Sequence, residues 1–265
     1  MYKVGFIGAG NMGYSMMNGL LEVYSPQDIT FNSNTISTKE RIKNELEIDY
    51  RESNIEVAKE SQFIILAIKP YMYGKILEEI KEELTSDSIV ASIAPGISVE
   101  EIKKMIDNKS KVMRVMPNTP VLVKEGMSLI SYNEEELTQE EISDIKKIFS
   151  SFGKIEILEE KYIDIAMPVT GSSPAYVFMM IEALADGAVK LGLKRNIAYK
   201  VISQAVLGSA KLALETGTHP GELKDQVCSP GGTTIEAVRV LEEKGFRSSL
   251  IEAVIANYNK AQNMK

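Results

Sequence analysis

Gly8-Ala9-Gly10-Asn11-Met12-Gly13 lies between a short apolar run, Val4-Gly5-Phe6-Ile7, and a segment whose Met12, Met16, Leu20 and Val23 recur on one helical side. Few sequence features restrict a fold as severely. Glycines at this spacing let a chain turn tightly out of a strand, bring bare backbone up to a diphosphate, and let the next helix pack close against a sheet. A helix that starts near Asn11 turns its unpaired N–H groups toward an anion. Strand, glycine turn and helix together read as a dinucleotide site in an α/β unit rather than as a plain connector.

The N-terminal half goes on alternating between the two periods. Strands are expected over residues 28–32, 63–68, 88–93 and 111–116, with a short one at 49–50, and helices over 39–46, 54–60, 73–84 and 99–106. Residues 63–68 are apolar without a break, as in a strand covered on both faces. This alternation implies right-handed crossovers and a parallel, doubly wound sheet of the Rossmann type. A strand over 126–132, a helix over 138–151 opened by a Thr138/Glu141 capping box, and a strand over 154–158 complete the half.

Ligands of such sheets sit beyond the carboxyl ends of the strands, which brings Ala67, Ile68, Lys69 and Pro70 near a bound cofactor. Enzymes that choose NAD place a carboxylate at the end of the second strand to hold the ribose hydroxyls. Here that turn is Asn32-Ser33-Asn34-Thr35, with Lys39 and Arg41 downstream. Neutral donors with positive charge nearby suit the extra phosphate of NADP, so NADPH is the expected cofactor and NADH the alternative.

From about residue 160 no strand pattern remains, and the chain is expected to divide into a dinucleotide-binding domain, 1–160, and an all-α domain, 161–265. Helices are expected over 174–191, 196–215, 220–227, 234–244 and 248–260, with Gly192, Gly217 and Gly245 as stop signals. The stretch Ala175-Tyr176-Val177-Phe178-Met179-Met180-Ile181 is apolar nearly all round and requires burial on most sides. The remaining helices supply too few partners, so a second subunit is expected to cover it, making this the dimerisation domain.

The net charge of −7, with no basic cluster, argues against nucleic acid and against an anionic membrane surface. A small-molecule substrate is the default. Cys228 is the only cysteine, which excludes an intrachain disulfide and points to a reducing compartment; with His219 the only histidine, no metal is expected. No apolar run is long enough to span a bilayer. The first strand starts too early to leave room for a signal peptide, so a cytoplasmic location is expected.

His219-Pro220-Gly221-Glu222 reads as a helix start with His219 at the cap, not as a general acid. The other informative stretch is Ser229-Pro230-Gly231-Gly232-Thr233-Thr234, ahead of a helix holding Ile235, Val238 and Leu241. Sparse side-chain cover and free helix N–H groups make a cup suited to a carboxylate, with the Ser229 and Thr234 hydroxyls available to a second substrate atom. Taken alone, the same residues also read as a structural turn with a threonine cap.

Together these segments resemble the pyrroline-5-carboxylate reductase family, nearly end to end. The resemblance rests on Gly8 to Gly13, Ala67-Ile68-Lys69-Pro70, Arg114-Val115-Met116-Pro117-Asn118-Thr119-Pro120, Gly171-Ser172-Ser173-Pro174-Ala175-Tyr176-Val177, and His219 to Asp225 leading to Ser229 to Ile235. It implies reduction of (S)-1-pyrroline-5-carboxylate to L-proline by NAD(P)H, in a homodimer or a ring of dimers joined through the C-terminal helices. It further implies that Gly8, Ala9, Gly10, Asn11, Met12, Gly13, Ser33, Asn34, Asn54, Ala67, Ile68, Lys69, Pro70, Ala94, Pro95 and Gly96 line the cofactor. Gly231, Gly232, Thr233 and Thr234 would hold the substrate, with Thr234 and Ser229 as the catalytic candidates. Many relatives carry an Arg where this chain has Asn34.

A threonine hydroxyl is too weak an acid to protonate an amine nitrogen by itself, so Thr234 is expected to hydrogen-bond the ring nitrogen while water or a pre-protonated iminium supplies the proton. Two rivals remain. Similar two-domain reductases of β-hydroxy acids, like those of other small imines, share the architecture, but the former depend on a Lys on the first long helix of the second domain, where this chain has Lys190 only at the far end. A non-catalytic NAD(P)-binding regulator is the other, and the intact loop at 229–234 speaks against it.

Overall fold

The computed structural model describes residues 1–263. Its first strand, β1 (Tyr2–Ile7), runs into α1 (Asn11–Leu20), followed by β2 (Ile29–Asn32), α2 (Ile36–Leu46), α3 (Asn54–Glu60), β3 (Ser61–Leu66) and α4 (Tyr73–Ile80). Next come β4 (Ile89–Ser92), α5 (Val99–Met105), β5 (Lys111–Met116), β6 (Gly126–Ser131), α6 (Gln139–Ser150) and β7 (Gly153–Ile157). The strands form one seven-stranded sheet in the order β2-β1-β3-β4-β5-β6-β7. The chain leaves β1 toward one edge and returns on its other side as β3, so the order reverses beside β1.

Strand side chains alternate between two cores, which explains the unbroken apolar character of the central strands. Val4, Phe6, Phe63 and Ile65 face one core, shared with Met16 and Leu20 of α1 and Ile145 and Phe149 of α6. Ile7, Ile64 and Leu66 face the other, with Tyr73 and Leu77 of α4 and Ile102 of α5. α6 begins with the expected box: the Thr138 hydroxyl accepts the Glu141 N–H, and the Glu141 carboxylate accepts the Thr138 N–H at 2.8 Å.

Three expectations need correction. The sheet is not wholly parallel: β6 runs antiparallel to β5, and β7 runs parallel to β6. A parallel return needs a crossover of a dozen or more residues, and the short connection after β5, stiffened by Pro117 and Pro120, only turns the chain back. Residues 49–50 form no strand; Tyr50 makes an isolated bridge to Phe31. A helix absent from the sequence reading, α7 (Glu160–Thr170), carries Pro168 inside it. It is held from outside: Ile163 packs with Met116 and Leu129, the buried Arg114 guanidinium donates to Asp164 (2.8 Å) and Glu160 (3.3 Å), and the Asn118 side-chain amide donates to the Thr170 carbonyl.

The structure divides into two compact units, Met1–Ser172 together with the chain from Tyr258, and Ser173–Asn257. The second unit is built from α8 (Ser173–Lys190), α9 (Arg195–Thr216), α10 (Pro220–Val227), α11 (Thr233–Glu243) and most of α12 (Phe246–Gln262). Gly192, Gly217 and Gly245 take the positive φ values of helix stops. Among the described residues, no helix is long and apolar enough to cross a membrane.

This unit has almost no interior of its own. Only Ala185 and Ala198 are buried in it, whereas Phe178 and Met179 of α8 remain 62% and 68% exposed. A groove of about 670 Å³ between α8 and α9 is lined by Met180, Leu184, Ile202 and Val206 with small neighbours. An apolar surface of this extent on helices is stable in water only when another surface covers it. Phe178→Glu is therefore expected to lower the oligomeric mass measured by light scattering, weakening association by on the order of 2 kcal/mol or more.

Candidate functional site

A cleft of about 740 Å³ opens beyond the carboxyl ends of β1 to β4, where the strand order reverses and α/β sheets bind their ligands. The three glycines do three different jobs there. Gly8 has φ +94°, and a Cβ on it would sit 2.5 Å from the Ala67 carbonyl oxygen. On Gly13 a Cβ would come within 2.8 Å of the Gly8 carbonyl oxygen, so α1 lies directly on the strand exit. Gly10 is the reverse case: nothing lies within 4 Å of where its Cβ would be. It is also the N-cap of α1 and makes no side-chain capping bond, leaving the first helical N–H groups to a ligand.

The structure brings nearly all the proposed cofactor residues to this one cleft. Gly8, Ala9, Gly10, Asn11, Met12 and Gly13 line one part, Ser33, Asn34 and Asn54 another, and Ala67, Ile68, Lys69, Pro70, Ala94 and Pro95 a third. Gly96, at φ +79°, lies one residue beyond the lining. Asn54 is held in place: its side-chain oxygen accepts the Asn32 amide at 2.8 Å, and its own amide donates to Glu79. Ile7, Met72, Ile76, Ile93 and Pro117 also line the cleft, and sequence reasoning missed them. Ile7, Ile93 and Pro117 were in principle legible as strand-end neighbours, whereas Ile76 arrives through the packing of α4.

The ends of β3 and β4 are tied together next to the cleft. The buried Tyr73 hydroxyl donates to the Leu66 carbonyl at 3.1 Å and lies 2.9 Å from the Ser92 hydroxyl. Burial pushes Tyr73 up to about 12, so it stays protonated and keeps its donor over the whole physiological range. Of the two cations read as phosphate partners, Lys39 borders a side recess of the cleft. Arg41 does not; it stacks on Tyr14 at 4.9 Å and pairs with Glu45.

In the helical unit, Gly232 donates its N–H to the Ser229 carbonyl at 3.0 Å, with Pro230 and Gly231 (φ +66°) between them, the arrangement of a type II turn. α11 starts directly after it, with Gly232 as N-cap and no side-chain capping bond. The N–H groups of Thr233 and Thr234 are thus available to an anion. Thr234 is half-buried and Ser229 exposed. His219 serves as a cap, its Nδ1 accepting the Gly221 N–H at 3.1 Å, and Cys228 is a half-buried free thiol.

A doubly wound sheet with a glycine cradle and an open helix start defines a dinucleotide-binding domain of the Rossmann type, here joined to a helical unit that lacks a core of its own. Residues 3–96 match a family described as NADP oxidoreductase, coenzyme F420-dependent, and residues 160–264 one described as pyrroline-5-carboxylate reductase dimerisation. The chain is 46% identical over 264 residues to a pyrroline-5-carboxylate reductase of Escherichia coli (strain K12), covering 99% of this chain and 98% of the relative. It is 38% identical to one from Arabidopsis thaliana, covering 99% and 95%. Among solved structures, a pyrroline-5-carboxylate reductase from Coxiella burnetii matches with a TM-score of 0.92 at 32% identity, over 100% of this chain and 98% of the other. The Plasmodium falciparum pyrroline carboxylate reductase with NADP bound matches with a TM-score of 0.86 at 31% identity, over 99% and 98%. The chain belongs to the pyrroline-5-carboxylate reductase family.

The glycines separate fold from binding. Gly10→Ala is expected to leave the thermal midpoint unchanged, since the new methyl group meets no protein atom, and to weaken NADPH binding in calorimetric titration. Gly8→Ala is expected to lower stability by about 1–3 kcal/mol, because it combines a positive φ with a collision at the Ala67 carbonyl.

Proposed function

We propose that the chain reduces (S)-1-pyrroline-5-carboxylate to L-proline with NADPH, and accepts NADH as the alternative donor. The observation that carries this reading is the end-to-end similarity, at 46% identity, to an enzyme named for that reaction. The open cradle at Gly10 supports it independently, because a diphosphate needs bare backbone at that place.

When bound, NADPH supplies the hydride. The chain supplies position and polarity. Residues 8–13 and the start of α1 would hold the diphosphate by backbone N–H groups, while Ser33, Asn34 and Asn54 would offer neutral donors to the adenosine ribose. Residues 67–70 and 94–95, with Gly96 next to them, would border the rest of the bound cofactor. In the helical unit, the N–H groups of Thr233 and Thr234 grip the substrate carboxylate beside the bare backbone of Gly231 and Gly232, Thr234 Oγ1 hydrogen-bonds the ring nitrogen, accepting from an iminium N–H or donating to a neutral imine, and Ser229 orients the loop. The chain's part in the reduction is to hold the C=N carbon and to keep a hydrogen-bond partner, Thr234, at the nitrogen, which takes any proton it lacks from water. Holding the reactants in register lowers the barrier by several kcal/mol, on the scale known for well-placed groups.

The working division is a cofactor-binding domain over residues 1–160 and a substrate and dimerisation domain over 161–265. The assembly is a homodimer, or a ring of dimers, formed through the C-terminal helices, and its setting is the cytoplasm. The only basic side chain of α8 is Lys190 in its last turn, which leaves the reductases of β-hydroxy acids the weaker reading. Purified protein with pyrroline-5-carboxylate is expected to consume NADPH at 340 nm and yield proline in equal amount; no turnover with either donor overturns the proposal. Thr234→Ala is expected to lower kcat by about 10–100-fold without abolishing it, the effect of losing one hydrogen bond to the reacting group.

A further inference from the structure

Beyond the end of β2 the cleft continues into a recess of about 340 Å³ lined by Asn32, Ser33, Asn34, Ile36, Lys39 and Glu52. The turn after β2 contains no carboxylate, yet folding delivers one to it: Glu52, from the loop before α3, lies with Oε2 3.0 Å from Lys39 Nζ. The partners are unequally buried. The Lys39 side chain is 8% exposed, held also over the Tyr50 ring at 5.1 Å, while that of Glu52 is 74% exposed. The neighbouring cations are engaged elsewhere, Arg41 with Glu45 and Lys43 with Asp49.

At the end of the second strand of such sheets, a carboxylate favours a free ribose 2′-hydroxyl and a cation favours a 2′-phosphate. This recess holds one of each. We infer that the Lys39–Glu52 pair sets the choice between the two nicotinamide cofactors. Lys39 attracts the 2′-phosphate; Glu52 opposes it by holding Lys39 and by presenting a carboxylate to the unphosphorylated ribose. The inference rests on the dinucleotide reading of the cleft and adds to it a device that keeps the preference for NADPH moderate.

The two charges have opposite signs, so removing them moves selectivity in opposite directions, which a merely structural role does not do. Calorimetric titration of the full-length protein with two non-reacting probes, 2′-phospho-ADP-ribose and ADP-ribose, reads this directly. Glu52→Gln, at an exposed side chain, is expected to tighten the phosphorylated probe about fivefold and to loosen the other about threefold. Lys39→Gln is expected to loosen the phosphorylated probe about tenfold and leave the other within about twofold, and Lys39→Arg to retain the wild-type order. The ratio of KM for NADPH and NADH is expected to move the same way. Equal shifts for both probes, or no shift with Glu52→Gln, overturn the inference; that arm stands alone if loss of the buried Lys39 unfolds the protein. If the wild-type protein binds neither probe, the cofactor reading of the cleft fails, and this inference fails with it.

Discussion

The constraint on which the cleft depends is backbone on backbone, where α1 meets the exits of β1 and β3. Missing side chains at Gly8 and Gly13 leave room for the Ala67 carbonyl and the Gly8 carbonyl, and no other residue type fits without moving a strand. That contact sets the helix start over the carboxyl end of the sheet. Because the same helix start carries no side-chain cap, its first N–H groups stay open to an anion. Packing and binding therefore come from one arrangement: the glycines that bring the helix close also leave its start bare.

The two units solve burial differently. The sheet encloses a core on each face, so Met1–Ser172 carries an interior of large apolar side chains. The helical unit encloses little more than Ala185 and Ala198, and its apolar side chains gain their hydrophobic stabilisation only when another surface excludes water from them. Its match to a dimerisation family agrees with that requirement.

Around the cleft, polar groups serve as fixtures more than as reagents. Tyr73 joins the ends of β3 and β4 through the Leu66 carbonyl and the Ser92 hydroxyl, and Asn32 with Glu79 fixes Asn54. Such a site does its work by holding cofactor and substrate in place, as befits a reaction whose electrons come from a cofactor. The type II turn at Ser229 to Gly232 is built in the same way, from backbone with little side-chain cover directly ahead of the uncapped start of α11.

The sequence alone determined whatever depends on neighbours along the chain: the strand–glycine–helix start, the apolar β3, the Thr138 capping box, the glycine stops, the His219 cap and the turn before α11. Each is a local pattern of period, cap or φ preference. Only the tertiary structure decided the reversed direction of β6, the helix α7, and the place of Glu52. Pro168 disguises α7 in the sequence, and the groups that hold it, Arg114 and Asn118, lie some fifty positions away. The turn after β2 looked free of carboxylates because its carboxylate comes from a later loop. Local patterns are written in adjacent residues; charges and clamps that meet only when the chain closes on itself leave no period to read.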